Sequence, residues 1–346
     1  MVLIRTLSIF LETNTKNMES LSSMRDSRKQ SNDSSKKPKE FQPDEKIYSY
    51  AEAYKKAMEE DAFSDKHFIW AGIKKLDDMI RGFKKGELIV LTGSPKAGKT
   101  SAAQTISFNQ AVLGIPVLWF SLEMGWQEFT KTFMDMDDFL KRSEAPPDLP
   151  LYYPIESSKI SIPWLKKKIH EAKEQHNIQM VYIDNLHDLA GLEATMSSGN
   201  SSLFFGLLVN ELKKIAIAEN VVIFLIVHAH KLSPYDIPNA GSIRDSGLVA
   251  HICTMVMCMW RVREPHDPTK DSGEKTVLWR DESRLSVEYN RRGGHTGVIK
   301  LYHYDGKFFD EPTPRPFNPN EIPNGGSDGG LGNGQPELGM GSEQDS

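Results

Sequence analysis

From residue 87 onward the chain alternates short apolar runs with longer stretches of helical periodicity. Glu87–Thr92, Pro116–Ser121, Met180–Asp184 and Val221–Val227 are almost continuously apolar. That is the pattern of parallel strands covered on both faces. Helical patterns fall between these runs. The clearest, Leu203–Asn220, sets Phe204, Leu207, Leu208, Leu212, Ile215 and Ala216 on one expected inward face. Later runs at Thr254–Trp260, Leu285–Asn290 and Val298–Tyr302 show no long helical pattern between them, so they predict hairpins extending the sheet. Strict alternation followed by hairpins predicts one α/β domain over residues 68–311, with a mostly parallel central sheet flanked by helices.

The flanks differ in character. Within residues 46–67, the positions Ile47, Tyr50, Ala51, Tyr54, Ala57 and Met58 recur at helical spacing with Lys and Glu opposite. This amphipathic helix needs a surface, either on its own domain or on a neighbouring subunit. Residues 1–45 are rich in Ser, Lys, Asp and Asn and bury too little to offset ordering entropy, so disorder is expected. The same holds for residues 312–346, where Pro312, Pro314, Pro316, Pro319 and Pro323 precede Gly-rich acidic sequence. Met1–Leu11 is apolar around Arg5 but short, which argues against a cleaved signal or organelle presequence while leaving organellar import open.

Composition adds little positive signal. A formal net charge of −5 over 346 residues supplies no global basic field, so any nucleic-acid contact must come from local patches. The two cysteines, Cys253 and Cys258, share one apolar run and offer no disulfide framework or zinc spacing, which suits an intracellular protein with reduced thiols. No apolar run approaches the ~18 residues needed to span a membrane.

One stretch organises the chemistry: Gly93-Ser94-Pro95-Lys96-Ala97-Gly98-Lys99-Thr100, with Ser101 opening the next helix. It reads G-x-x-x-x-G-K-T between a strand and a helix. In that setting backbone N–H groups and the helix N-terminus cradle phosphates. Lys99 is placed to reach the β- and γ-phosphates, and the Thr100 hydroxyl to ligate Mg²⁺. The expected ligand is a nucleoside triphosphate, ATP, with Mg²⁺.

Four further groups sit at strand ends. Asp184 closes an apolar strand, the Walker B arrangement that holds Mg²⁺, commonly through water. Glu123 follows the strand ending at Ser121 and could polarise an attacking water; the bland alternative is an acid at a helix start. His228, or His230 instead, could sense the γ-phosphate. Arg291-Arg292 could supply an arginine finger, worth about 10³–10⁵ in rate, or could be a solvated pair at a hairpin turn.

Gly82-Phe83-Lys84-Lys85-Gly86-Glu87-Leu88, the phosphate loop, Phe120-Ser121-Leu122-Glu123-Met124, the Asp184 strand, Ile243-Arg244-Asp245-Ser246-Gly247 and Arg292-Gly293-Gly294-His295-Thr296-Gly297 occur in that order. Together they resemble the C-terminal RecA-like P-loop NTPase domain of DnaB-type replicative helicases, a superfamily that includes the phage and mitochondrial primase-helicases. The likeness spans about Trp70 to Asp310. It implies Glu123 as catalytic base, Asp184 as metal-side acid, His228 as sensor and Arg292 as a finger acting on a neighbour's nucleotide. It also implies a homo-oligomeric, hexameric ring, in which residues 47–62 dock on the adjacent subunit. Single-stranded DNA would pass its centre against loops near residues 191–202 and 232–242, and other replication proteins would be partners. The chain departs from the bacterial pattern at Asn290, where a lysine is usual, and at Leu248-Val249-Ala250-His251. Cations are sparse in the expected DNA loops: Lys231 and Arg244 flank them, and residues 191–202 have none.

The resemblance implies an ATP-driven helicase that moves on single-stranded DNA and unwinds duplex during replication. A RecA- or KaiC-like DNA-binding ATPase without unwinding shares the same core. A small-molecule kinase is a third reading, against which Glu123 and Arg292 count.

Overall fold

A computed structural model describes residues 48–60, 67–140, 148–155, 160–185, 201–229, 236–243, 249, 251–263, 279–293, 295–304 and 306–313. The expectations for residues 1–45, His230, Arg244 and residues 314–346 lie outside that set, as do those for nearly all of 191–202 and for 232–235. The chain divides into two units, Met1–Asp61 and Ala62–Ser346.

The first unit contains helix α1 (Tyr50–Glu59), started by a capping box in which Ser49 and Glu52 satisfy each other's backbone N–H. None of its residues is buried, and Tyr48, Tyr50, Tyr54 and Met58 are among the exposed large apolar side chains.

The second unit is built on a nine-stranded sheet. Its elements run β1 (Phe68–Ile69), α2 (Lys74–Ile80), β2 (Phe83–Lys84), β3 (Leu88–Gly93), α3 (Lys99–Val112), β4 (Val117–Ser121), α4 (Trp126–Leu140), β5 (Leu151–Tyr152), α5 (Ile162–His176), β6 (Met180–Asp184), α6 (Ser201–Ala218), β7 (Val222–Ile226), β8 (Met255–Arg263), β9 (Trp279–Asn290), β10 (Gly297–Tyr304) and β11 (Lys307–Phe309). β1 and β2 form a separate antiparallel ribbon. The large sheet has the order β11-β10-β9-β8-β3-β7-β6-β4-β5. Strands β8, β3, β7, β6, β4 and β5 run parallel, and β9, β10 and β11 extend them antiparallel. The expected parallel core with C-terminal hairpins is therefore what the chain forms.

Alternation along the central strands feeds two hydrophobic layers. Ile89, Leu91, Trp119, Tyr182 and Phe224 face one layer with Ala103, Phe108 and Phe129 of α3 and α4. Leu88, Val90, Phe120, Val181 and Leu225 face the other with Leu165 and Ile169 of α5 and Leu212 and Ile215 of α6. Both faces being covered explains the unbroken apolar runs. On α6 the Phe204 side chain lies outside the described set, and one expectation fails: Leu207 is 55% exposed. The inward stripe is Phe205, Leu208, Val209, Leu212, Ile215 and Ala216, a regular i, i+3, i+4, i+7 series that leaves Leu207 off the face. Leu207 lies instead on the outward stripe with Glu211 and Lys214, both exposed.

The N-terminal part of this unit is tied down by polar groups. Asp77, 5% exposed, accepts from the Ala71 and Gly72 backbone N–H groups at 2.7 and 2.8 Å. Gln110 and Asn109 of α3 donate to the carbonyls of Trp70 and Gly72, and the buried Tyr182 hydroxyl donates to Gln110 at 2.7 Å.

Candidate active site

The phosphate loop leaves β3 between its two parallel neighbours, β7 and β8, so its mouth opens at the carboxyl edge of the sheet. Ligands bind at that edge in open α/β sheets. Gly93 has φ 152°, and a Cβ there would lie 2.0 Å from the Met259 carbonyl oxygen of β8. No larger residue fits. Lys96 and Gly98 also have positive φ, curling the loop until Gly98 caps the start of α3. The first-turn N–H groups of a helix have no intrahelical partners, so the loop ends on donors suited to an anion.

Lys99, the first residue of α3, is 7% exposed and donates to the carbonyls of Gly93 and Ser94 at 3.2 and 3.1 Å. Burial holds its ammonium below the ordinary lysine range, opposed by the charges of Asp184 and Glu123. The Thr100 hydroxyl donates to Asp184 Oδ2 at 2.6 Å. Burial pushes the Asp184 carboxyl above its usual range, against that hydrogen bond. A hydroxyl and a carboxylate held together beside a cradle of N–H groups are the oxygen donors that Mg²⁺ takes alongside phosphate. These residues fit the nucleotide and the metal.

Sheet register brings the other groups to the same place. Ser121 of β4 pairs with Asp184 of β6, and Asp184 pairs with Ile226 of β7. Glu123 and His228 each lie two residues past those paired positions, and the Leu122 N–H donates to the Asp184 carbonyl at 2.6 Å. Glu123 Oε1 and His228 Nε2 are 2.9 Å apart. A contributor that the sequence reading lacked is Asn185: its side-chain nitrogen donates to Glu123 Oε1 and lies 2.8 Å from His228 Nε2. Its signal was its place directly after the strand-ending acid, one residue beyond a motif that stops at Asp184.

Arg292 is placed elsewhere. Its Nε pairs with Glu87 Oε1 at 2.9 Å, and its terminal nitrogen donates to the carbonyls of Ile80 and Gly82 at 3.0 and 2.6 Å. The guanidinium also lies over the Phe68 ring, 5.3 Å from its centroid. The side chain expected to reach a neighbour is turned into its own chain. Arg291 beside it is exposed.

Among the described residues no group of three or more His, Cys, Asp or Glu side chains forms a metal cluster, and no helix is long and apolar enough to cross a membrane.

Comparison with known proteins agrees with this geometry. The model of the AAA domain family matches residues 55–234, more than half of the chain. The chain belongs to the AAA domain family. Among curated proteins, this AAA-domain chain is 25% identical over 266 residues to a probable replicative DNA helicase of Trieres chinensis, covering 69% of the chain and 56% of the relative. It is 26% identical over 299 residues to the replicative DNA helicase DnaB of Rickettsia conorii, covering 73% and 59% respectively. It thus spans less than two thirds of the length of either relative. Among solved structures, an ATPase domain superposes with a TM-score of 0.61 at 18% identity, over 77% of this chain and all of that one. A DnaB-like replicative helicase, solved in a study of its interactions with primase, gives 0.60 at 18% identity over 75% of this chain and 68% of that one. The fold is the RecA-like ATPase fold of DnaB-type helicases.

Proposed function

We propose that this AAA-domain protein hydrolyses ATP and couples the hydrolysis to movement along single-stranded DNA and unwinding of duplex, as a ring of identical subunits. The observation that carries the reading is the meeting of Lys99, the Thr100–Asp184 pair and Glu123 at one edge of the sheet. The likeness to replicative helicases supplies the DNA and the ring.

In this reading the loop from Gly93 to Ser101 binds the triphosphate through backbone N–H groups. Lys99 leaves its loop carbonyls to meet the β- and γ-phosphates, an exchange that favours the ammonium because phosphate carries full negative charge. Thr100 and Asp184 hold Mg²⁺, which would supply neutralisation of charge on the phosphate oxygens. Glu123 takes the proton of the attacking water as that oxygen bonds to the γ-phosphorus and the bond to the β-phosphate oxygen breaks. His228 beside it is placed to report the presence of the γ-phosphate. The resemblance assigns the finger acting on a neighbour's nucleotide to Arg292, which pairs with Glu87 within its own chain and would have to leave that pair to reach it; Arg291, the exposed member of the turn pair, is the alternative. Helix α1, amphipathic with Tyr50, Tyr54 and Met58 exposed, is the element offered to an adjacent subunit.

Measuring native mass with and without ATP, together with strand separation on a forked duplex, tests this. Ring assembly with ATP-dependent unwinding is expected. Single-strand-stimulated ATPase without unwinding would replace the helicase reading with a RecA- or KaiC-like one. A phosphorylated small-molecule acceptor would replace both with a kinase.

A further inference from the structure

We propose that Asn185 is the positioning residue for the Glu123 carboxylate, acting with His228 to dedicate one carboxylate oxygen to holding and leave the other for proton transfer. The proposal rests on the reading of Glu123 as the base.

Three polar atoms meet at this point. Asn185 Nδ2 donates to Glu123 Oε1, His228 Nε2 lies 2.9 Å from that same oxygen, and Nδ2 and Nε2 are 2.8 Å apart. A carboxylate accepts only, whereas an amide nitrogen donates only. The Nε2–H tautomer makes both contacts to Oε1 attractive, the amide N–H and Nε2–H both pointing at the anion; Nδ2 and Nε2 are then two donors sharing that acceptor, with no bond to each other. Oε1 then has its lone-pair directions filled. Oε2 carries no hydrogen bond among the described residues and is the oxygen left to face the water.

The burial pattern says which partner sets the position. Asn185 is 1% exposed, while the side chains of Glu123 and His228 are 44% and 47% exposed. Exposed side chains lose position readily, and a buried amide at the end of the central strand β6 does not. Asn185 also follows Asp184 directly, so the residue that holds the base shares a backbone with the residue on the metal side. The positions of base and metal-side acid are therefore fixed relative to each other by β6. A misplacement of about 1 Å in such a group costs on the order of 10²-fold in rate.

The test is a double-mutant cycle on the full chain, read by single-turnover ATP hydrolysis, with nucleotide affinity followed by a fluorescent triphosphate. Asn185→Ala should lower kcat by about 10-fold or more with KM for ATP changed less than about two-fold. Asn185→Asp keeps the shape but faces the carboxylate with an acceptor, and should lose at least as much. In a Glu123→Gln background, which already lacks the base, Asn185→Ala should cause no further loss. An equal loss in both backgrounds, a loss expressed in KM, near-normal kcat in both Asn185 variants, or loss of nucleotide binding in both would each overturn the proposal. The last of these would make Asn185 a structural residue. Near-normal turnover of Glu123→Gln alone would instead remove the base itself, an outcome distinct from failure of the Asn185 variants while Glu123→Gln is inactive.

Discussion

Arg292 Nε lies 2.9 Å from Glu87 Oε1, and the two charges close a lock between the turn after β9 and the start of β3. Glu87 is 6% exposed; burial pushes its carboxyl up while the Arg292 charge pulls it back down. The same guanidinium donates to the Ile80 and Gly82 carbonyls, where α2 ends with Arg81 in a left-handed conformation. A cation at a helix C-terminus meets the negative end of the helix dipole. One side chain thus ties the turn after β9 to the end of α2 and the start of β3, a stretch more than 200 positions away in the chain.

Arg292→Ala should therefore destabilise the protein, because it leaves Glu87 buried without its partner. Breaking a buried pair from one side costs about 3–5 kcal/mol. Thermal melting should show a drop of several degrees, and Arg292→Lys should recover only part of it, since an ammonium lacks the planar fork. If Arg291 acts across an interface, mixing Arg291→Ala with Lys99→Ala subunits should restore part of the ATPase. Unchanged melting of Arg292→Ala would remove the lock.

A pH dependence follows from Asp77. Burial pushes its carboxyl up to about 7 from 3.8, against the pull of the Ala71, Gly72 and Ile73 backbone N–H groups. Between those values the folded state holds a proton that the unfolded state has lost. This group's stabilisation is thus complete below the unfolded value and is lost as pH rises through the folded one, at no more than about 1.4 kcal/mol per pH unit. Urea unfolding from pH 5 to 7 should show that falling component in the parent protein, and Asp77→Asn should lack it. An identical slope in the two proteins would mean that Asp77 stays ionised.

Much of this arrangement was legible in the sequence. The apolar runs marked β3, β4, β6 and β7 because strands covered on both faces must be apolar throughout. The phosphate loop and the strand-ending Asp184 were legible because their chemistry needs fixed residue types at fixed spacing. Rotation of α6 was legible only in part: Leu207 reads as core by its side chain alone, yet it shares a stripe with the exposed Glu211 and Lys214 and faces outward with them. The partners of Arg292 were also hidden: Glu87 lies far away in sequence, and only the fold brings the two together. Asn185 escaped notice because its role depends on register across β4, β6 and β7, which no local pattern records.

The two cysteines should behave as inert core residues. Burial pushes both thiols up to about 12, and Cys253 and Cys258 are 1% and 0% exposed. Only the thiolate reacts, so at pH 8 labelling by a water-soluble disulfide reagent should be about 10³-fold slower than for a free thiol. Full reactivity should appear on unfolding in guanidinium. Rapid labelling of either thiol in the folded protein would show that β8 or the segment before it opens under native conditions.

Lys99→Ala should abolish ATP hydrolysis while sparing the fold. The ammonium is buried and bonded to loop carbonyls, so its removal relieves a desolvated charge as well as deleting two hydrogen bonds. Those effects oppose each other, and the melting temperature without nucleotide should move by no more than a few degrees. With the triphosphate the balance differs, because Lys96, the loop's remaining cation, is exposed and does not replace a buried ammonium beside Asp184. Phosphate release should fall by at least about 10²-fold, and the rise in melting temperature that nucleotide gives the parent protein should shrink or vanish. Retained hydrolysis would show that the triphosphate is held somewhere other than this loop.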